Sequence, residues 1–290
     1  VFPAIALLTG IINLSLPDLS INGLLVVGSF LLRKLSIDQN RLNYANSVKS
    51  LVGFTTLPKE QVEELLLTST GKLATDWHKK APKTEEEVEK WYADNSTYYI
   101  YDLAQFHLSY KHIVFTLDII KLAKSRVLDY GAGIGDLSIA LAKEGREVTY
   151  FDVEGQSKKY AQWQAENFNV KLDFATSHRQ LEDKKFDTII VLDVLEHLYR
   201  PEEILDYLTE KLDEGGLMIV SAYFGATKAH PMHFDHKLDV EKYFLERRFH
   251  NAKSFWLKLS ASESMRRPQM FVYQKRSGLK LAEIGLERAV

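Results

Sequence analysis

The alternation of strand-like and helix-like segments after Ser125 constrains the fold more than any other feature of this chain. Apolar runs predict strands, and segments of about 10–15 residues with apolar positions at helical spacing predict the helices between them. The predicted strands are, in chain order, RVLDY, REVTYFDVE, VKLDFATS, FDTIIVLDV and LMIVSAYF. Strands that alternate with helices pair in parallel and are covered by helices on both faces. The sequence therefore predicts an α/β fold with a doubly wound sheet.

Two further strand-like runs complete this sheet. NAKSFWLKLS and PQMFVYQKR follow the helical segment DVEKYFLERRF with no helix between them, so they predict an antiparallel pair. We expect a Rossmann-like sheet of seven strands, mainly parallel, with its last strand antiparallel. The helix PEEILDYLTEKLDEGG before LMIVSAYF is expected to end at Gly215-Gly216, and residues 277–290 are expected to form a helical tail.

The part of the chain before the sheet is predicted to be helical. Residues 1–95 form the predicted accessory or cap region, and residues 96–276 form the predicted α/β domain. Thr84 and Glu87 have the spacing of a capping box, in which each side chain accepts a hydrogen bond from the other residue's backbone N–H. A helix is therefore predicted to begin there, and the charged stretch GKLATDWHKKAPKTEEE around it is predicted to be exposed.

Residues 1–32 are unusually apolar, and Asp18 is their one charged residue. Pro17 and several polar residues interrupt the roughly 20 consecutive apolar residues that a membrane-spanning helix needs. Three interpretations stay open: buried helices of an accessory domain, which we favour, a lipid-facing surface, and a membrane segment. The predicted location is the cytoplasm, and the lipid-facing interpretation adds an association with the membrane surface.

Composition excludes several classes of site. The chain has no cysteine, which excludes disulfides, thiolate zinc sites, iron–sulfur clusters and cysteine nucleophiles. Any metal would have to be held by His, Asp or Glu. The 37 Lys and Arg residues nearly balance the 39 Asp and Glu residues, which disfavours nucleic acid as a partner because no excess positive charge is present to bind phosphates.

A glycine-rich turn follows the first strand of the predicted sheet. In VLDYGAGIGDLS, Gly131, Gly133 and Gly135 allow a tight turn and the close approach of a ligand to the backbone. The nicotinamide fingerprint G-x-G-x-x-G would need glycine at position 136, where this chain has Asp136. Asp129 stands at the end of the preceding strand, and a carboxylate there suits a ligand with an ammonium group rather than a pyrophosphate.

The turn resembles motif I of the class I S-adenosylmethionine-dependent methyltransferases, and three further segments are similar in order and spacing. Asp152 ends the second strand, FDTIIVLDVLEHL resembles the family's fourth strand, and LDEGGLMIV resembles its fifth. The similarity covers residues 125–276. It implies the family's sheet, S-adenosylmethionine as cofactor, and methyl transfer as activity.

The resemblance also implies which residues contact the cofactor. In the family, the glycine turn passes under the amino-acid part, the acid after the second strand holds the ribose, and the ends of the third and fourth strands border the adenine and the methionine moiety. The implied contacts are Asp129, Gly131, Ala132, Gly133, Asp152, Val153, Thr176, Ser177, Asp193 and Val194. A helix over residues 91–107 is expected to lie across the cofactor, with Tyr98, Tyr101 and His107 as candidate contacts.

The segment DVLEHL, at the end of the fourth strand, indicates which subgroup of the family this chain resembles. Its Glu196-His197 pair resembles the ubiquinone-pathway O-methyltransferases and, more distantly, the small-RNA 3′-end 2′-O-methyltransferases. In some of these enzymes such a pair and a later histidine surround a divalent metal. Here the later segment HPMHFDH offers the candidates His230, His233, Asp235 and His236.

Three roles for this second cluster stay open. Glu196, His197 and His233 could bind a divalent ion, since carboxylate and imidazole ligands suit magnesium, manganese or zinc. His197 or His233 could instead be a general base, because imidazole titrates near neutral pH. In the third alternative these residues cap a helix and line a loop.

The predicted function is methyl transfer from S-adenosylmethionine to an oxygen of a small aromatic or lipid-like acceptor. Catalysis is assigned to Glu196, His197 and His233, and metal dependence is left open. One alternative is an RNA 2′-O-methyltransferase, which the charge balance disfavours. The other is a non-catalytic subunit that binds S-adenosylmethionine, since a fold by itself does not establish activity.

Overall fold

The computed structural model describes residues 41–255 and 270–276. The predictions for residues 1–32 and for the tail at 277–290 lie outside the described residues. The chain divides into two compact units, residues 1–49 and residues 50–290. In the first unit, the described residues are helical. None of the described helices is both long enough and apolar enough to pass through a bilayer.

After the helical residues that end at position 55, three further helices precede the sheet in the described part of the second unit: α1 (Lys59–Lys80), α2 (Glu85–His107) and α3 (Tyr110–Leu122). The predicted capping box starts α2: Thr84 Oγ1 accepts the Glu87 N–H, and the Glu87 carboxylate accepts the Thr84 N–H, both at 3.2 Å. The predicted domain division at residue 95 falls inside α2, and it stays a prediction.

The predicted exposure of the stretch around Thr84 is wrong for its first half. That half is the last part of α1, where Leu73 and Trp77 are buried. Trp77 packs edge-on against Trp91 of α2, with ring centroids 4.9 Å apart. The charged residues outnumber the apolar positions in the sequence pattern of this stretch. One of them, Asp76, faces α2, where it accepts hydrogen bonds from Trp91 and Asn95.

The rest of the second unit alternates strands and helices as predicted. The elements are β1 (Arg126–Tyr130), α4 (Asp136–Lys143), β2 (Glu147–Phe151), α5 (Gln156–Asn167), β3 (Asp173–Ala175), β4 (Phe186–Leu192), α6 (Pro201–Lys211), β5 (Leu212–Ser221), α7 (Val240–Glu246), β6 (Phe249–Phe255) and β7 (Met270–Lys275). The sheet order is β3-β2-β1-β4-β5-β7-β6, and β7 is antiparallel to both of its neighbours. The predicted seven-stranded, mainly parallel sheet with an antiparallel last strand is confirmed.

One predicted helix end is wrong. α6 ends at Lys211, and β5 begins at Leu212, so the Gly215-Gly216 pair lies inside the strand. The pairing of β5 with β4 is irregular there, and Gly215 has a φ of 73°. The glycines therefore mark an irregularity in the strand, not the end of the helix.

Both faces of the sheet are covered, which explains why its strands are continuous apolar runs. On one face, β1 and β4 residues such as Leu128 and Ile189 pack with residues of α6 and α7. On the other face, Val127 and Ile190 pack with α3 and α4. Strand order reverses between β1 and β4, and the crevice at the carboxyl ends of these strands is where ligands bind in folds of this kind.

Candidate functional site

A cavity of about 430 Å³ opens at the carboxyl ends of β1, β2 and β4. Its floor comes from the loops that follow these strands, and α2 forms one wall. The structure brings most of the predicted site residues to this cavity: Gly131, Gly133, Asp152, Val153, Thr176, Ser177, Asp193, Val194 and His197.

The glycine turn is shaped by close approaches on both sides. Gly131 has a φ of 73°, and a Cβ there would overlap the Val194 side chain. Gly133 has a φ of 54°, and a Cβ there would lie 2.7 Å from Leu103 of α2. Gly131 thus requires glycine for conformation and for space, and Gly133 requires it for conformation, so the turn presents bare backbone to the cavity.

Asp152 links the turn to the end of β2. Its Oδ2 accepts the Gly133 N–H at 2.5 Å, and its Oδ1 accepts the Val153 N–H at 2.7 Å. Burial raises the pKa of this carboxyl to about 6, and the two hydrogen bonds act in the opposite direction. A carboxylate has room for about four hydrogen bonds, so it can hold the turn and still accept from ligand hydroxyls.

Asp129 and Ala132 line a second, smaller cavity of about 100 Å³, which shares the glycine turn and Asp193 with the first. Asp129 accepts the Ser138 hydroxyl at 2.6 Å, and burial raises its pKa to about 6. Asp193 accepts the Ser221 hydroxyl at 2.6 Å. Two carboxylates therefore flank the small cavity.

The helix that was expected to lie across the cofactor is α2, and one of its faces lines the large cavity. The lining residues recur every three or four positions: Glu85, Val88, Glu89, Tyr92, Ser96, Tyr99 and Leu103. Tyr101 does not belong to this face, since it is 1% exposed and its hydroxyl bonds to Thr55. Tyr98 packs against the Trp77–Trp91 cluster. His107 lines the small cavity.

Tyr92 and Tyr99 were not among the predicted site residues, because the sequence does not show directly which face of α2 meets the cavity. Leu103, whose side chain meets the glycine turn, defines that phase: positions 99, 96 and 92 precede it on the same face. His178 was also missed. Its ring lies nearly parallel to that of Phe151, with centroids 5.3 Å apart, and it lines the large cavity.

The second cluster comes together at the end of β4. The Tyr92 hydroxyl and His197 Nδ1 are 2.6 Å apart, and the rings of His197 and His233 meet edge to face at 4.6 Å between centroids. His230 stacks on His233 at 5.1 Å. Glu196 is buried, and its Oε1 accepts the Tyr223 N–H at 3.0 Å.

Burial determines the charge state of this cluster. It lowers the pKa of His197 well below its usual value and that of His233 to about 4, and the neighbouring histidines act in the same direction. Both imidazoles are therefore neutral near pH 7. Ligand atoms of Glu196, His197 and His233 lie within 4.8 Å of one another, so the three could hold a metal ion.

The other two candidates in HPMHFDH do not join this cluster. His236 Nε2 lies 2.8 Å from the Leu198 carbonyl oxygen, to which it can donate. Asp235 is exposed and pairs with Lys237. His236 therefore connects the loop that carries His233 to the segment after β4, and Asp235 pairs within that loop.

Comparison with known proteins agrees with this geometry. A family model described as a methyltransferase domain matches residues 99–260, more than half of the chain. The ubiquinone biosynthesis O-methyltransferase of Rickettsia akari (strain Hartford) is 30% identical over 113 residues, which are 38% of this chain and 45% of that protein. Its counterpart from Psychrobacter arcticus is 33% identical over 106 residues, 34% of this chain and 41% of that protein. The chain thus spans less than half the length of these relatives.

Solved structures with a similar fold include two methyltransferases. The N-methyltransferase NodS from Bradyrhizobium japonicum WM9, in complex with S-adenosyl-L-homocysteine, has 18% identity and a TM-score of 0.47, over 57% of this chain and 87% of that one. Magnesium protoporphyrin IX methyltransferase from Synechocystis PCC 6803 with bound SAM has 24% identity and a TM-score of 0.43, over 58% and 77%.

The sheet order and the glycine turn define an α/β protein with a ligand site at the carboxyl ends of its strands. The chain belongs to the class I S-adenosylmethionine-dependent methyltransferases. The residues present fit this cofactor. Gly131 and Gly133 leave the backbone of the turn open to a ligand, and the two carboxylates beside the turn, Asp129 and Asp152, suit an ammonium group and ribose hydroxyls.

Proposed function

We propose that this chain transfers the methyl group of S-adenosylmethionine to a hydroxyl oxygen of a small, neutral aromatic acceptor. The observation that carries the proposal is the Tyr92–His197 pair, at 2.6 Å, on the wall of the cavity that the glycine turn and Asp152 also line. It supplies a neutral imidazole next to the place where the cofactor's methyl group would be presented.

The walls of the large cavity favour an aromatic acceptor. Tyr92, Tyr99, Tyr130, Phe151 and Tyr199 contribute rings, and several aliphatic side chains lie between them. Among the described lining residues there is no Lys or Arg, so no fixed positive charge is offered to a phosphate or a carboxylate. The name of the relatives, ubiquinone biosynthesis O-methyltransferase, supports an oxygen acceptor.

His197 is the proposed general base. Transfer breaks the bond between sulfur and the methyl carbon and forms a bond from the acceptor oxygen to that carbon, while the hydroxyl proton leaves. With its proton on Nδ1, His197 donates to the Tyr92 oxygen, and Nε2 then carries the lone pair that accepts the acceptor's proton. Tyr92 is a positioning residue in this arrangement, because its hydroxyl oxygen would accept from Nδ1 and hold the ring in place. The remaining contribution is to hold the two reactants in line and exclude water.

A divalent ion is the alternative use of the same cluster. Two neutral imidazoles and a carboxylate form a donor set that suits first-row transition metals. Glu196, His197 and His233 would hold such an ion, which would lower the pKa of a hydroxyl bound to it. His233 Nδ1 is buried and has no hydrogen-bond partner among the described residues, which supports a ligand or proton-accepting role for this ring.

A turnover assay tests the proposal. The protein is incubated with S-adenosylmethionine and pools of phenols, catechols, quinols or short RNAs, and release of S-adenosylhomocysteine is measured. We expect turnover with the phenolic pools and none with RNA. Turnover with RNA alone would favour the RNA 2′-O-methyltransferase alternative. Binding of S-adenosylhomocysteine without turnover in any pool would favour the non-catalytic alternative.

A cytoplasmic location is the second part of the proposal, and association with a membrane surface through residues 1–32 is the alternative to the favoured interpretation of these residues as buried helices of an accessory domain. An apolar segment of this kind would favour a lipid-like acceptor, because it would bring the site to the bilayer where such acceptors reside. Liposome flotation of the chain with and without residues 1–32 tests it. Flotation that requires the segment supports the membrane-surface alternative, and no flotation of the full chain contradicts it.

A further inference from the structure

The large cavity has two carboxylates on the side away from the glycine turn. Along α2, its lining residues run from Leu103 at the turn to Tyr92 beside His197, and then to Glu89 and Glu85. Glu89 is three positions before Tyr92, so it lies on the same face, about 4.5 Å further along the helix axis. An acceptor whose hydroxyl meets His197 would therefore extend its far side toward these two carboxylates.

Within the described part of the chain, one of these carboxylates is neutralised and the other is not. Arg200, just before α6, donates from its Nε to Glu85 Oε2 at 3.1 Å. Glu89 forms no ion pair with any described residue, and its side chain is open to solvent at the cavity wall. Burial raises the pKa of Glu89, and the charges of Glu85 and Glu86 act in the same direction. Glu89 thus carries a negative charge that no described neighbour cancels.

The other side chains at this end of the cavity are largely aromatic. The rings of Tyr130 and Phe151 stack with centroids 4.5 Å apart, and the Tyr130 hydroxyl lies 3.0 Å from His178 Nε2. Burial raises the pKa of Tyr130, and the charges of Asp152 and Glu89 raise it further, so the Glu89 carboxylate acts on this wall. Aromatic walls screen a charge less than water does, and an acceptor that displaces water would strengthen the effect.

We propose that Glu89 selects the acceptor by charge. It repels a phenol that carries a carboxylate or another anionic group on the side opposite the methylated hydroxyl, and it accepts a hydrogen bond from a hydroxyl or an ammonium group at that place. The inference rests on the proposed function, since it takes the acceptor to lie in the large cavity with its reacting hydroxyl at His197. Glu89 is a specificity-determining residue, and it has no part in the chemical step.

Calorimetry on the protein saturated with S-adenosylhomocysteine tests this inference. The probes are 4-hydroxybenzoate, 4-hydroxybenzyl alcohol and 4-hydroxybenzylamine, which share one phenol ring and differ in the charge of one substituent. At pH 7.5, above the ordinary pKa of a Glu carboxyl, the wild type should bind the benzoate most weakly. Glu89→Gln should reduce the ratio of alcohol affinity to benzoate affinity by about three- to thirtyfold, the range for two charges about 7 Å apart near a protein surface. It should also weaken binding of the amine.

A matched variant and a change of salt separate charge from packing. Glu86→Gln makes the same charge change at an exposed position of α2 that does not line the cavity, and it should change the ratio less than about twofold. Raising the salt concentration from about 50 mM to about 500 mM should lower the wild-type ratio toward that of Glu89→Gln, because ions screen the charge. The ratio of Glu89→Gln itself should change little. Loss of a packing contact would not respond to salt in this way.

An unchanged ratio in Glu89→Gln overturns the inference. An equal change for all three phenols overturns it too, because it would indicate altered packing and not charge. A shift of the same size in Glu86→Gln has the same consequence, since the charge would then act from the surface as a whole. If the wild type binds S-adenosylhomocysteine and none of the phenols, the aromatic acceptor of the proposed function is contradicted, and the inference fails with it.

Discussion

Replacing Gly131 by alanine tests whether the glycine turn is dictated by space as well as by backbone conformation. The residue has a φ of 73°, where an L-residue costs about 1–2 kcal/mol. The added Cβ would also overlap Cγ2 of Val194 and lie 3.0 Å from its Cγ1. Overpacking of this kind costs about 1–3 kcal/mol. The two effects together predict a loss of about 2–5 kcal/mol in the free energy of unfolding.

Gly145 provides the control for this substitution. Its φ is 81°, close to that of Gly131, and a Cβ there would have no atom within 4 Å. Gly145→Ala should therefore cost only the conformational part, about 1–2 kcal/mol, less a small gain from reduced entropy of the unfolded chain. The difference between the two variants isolates the contact with Val194.

A double-mutant cycle measured by urea unfolding completes the test. In the Val194→Ala background the side chain that the added Cβ would meet is shortened, so Gly131→Ala should cost about as much as Gly145→Ala does in the wild type. Equal costs for the two glycine substitutions in the wild-type background would refute the reasoning. A full cost for Gly131→Ala in the Val194→Ala background would refute it too, because the clash would then lie elsewhere.

Three further predictions concern the site. Tyr92→Phe removes the hydroxyl beside His197 and should lower turnover about tenfold or more while S-adenosylhomocysteine affinity is kept, as measured by the turnover assay and calorimetry. His197→Gln and His233→Gln should each abolish turnover and keep the affinity for S-adenosylhomocysteine. If a chelator stops turnover of the wild type and added divalent ion restores it, the cluster is a metal site. If the chelator has no effect, a histidine acts as a base. Asp152→Ala should weaken S-adenosylhomocysteine binding by about 1.5–3 kcal/mol. The wild-type affinity should fall as pH drops through about 6, because the carboxylate that accepts the ribose hydroxyls becomes protonated. An affinity that stays constant from pH 7 to pH 5 contradicts this role.

The sheet and the cofactor end of the site could be predicted from the sequence because local patterns determine them. Buried parallel strands are continuous apolar runs, and the turn after β1 needs glycine at Gly131 and Gly133 because both have a positive φ. Asp152 follows from its place at the end of β2, since strand ends in a parallel sheet share one edge.

The acceptor end was harder to predict because it depends on which face of α2 meets the sheet. The same residue type occurs at three neighbouring positions of α2, Tyr98, Tyr99 and Tyr101. Of these three, only Tyr99 lines the large cavity. Tertiary packing determines which face of α2 meets the cavity, because Trp91 on a different face of α2 packs against Trp77 of α1. His178 lies in a short turn after β3 that has no periodic pattern. The sequence pattern thus predicts that α2 lies over the site, but it does not predict which face of α2 meets the cavity.

Asp193 joins the two halves of the site. It lines both cavities and has a φ of 52°, a conformation that Asp adopts more readily than most residues do. The end of β5 holds it there: the Asp193 N–H donates to the Ser221 carbonyl at 2.9 Å, and the Ser221 hydroxyl donates to its carboxylate. In the proposed arrangement the cofactor spans both cavities and passes this residue, with His197 four positions further along the chain on the acceptor side. The left-handed turn at Asp193 would then set the distance between methyl donor and base, and the packing of β4 against β5 would keep that distance fixed.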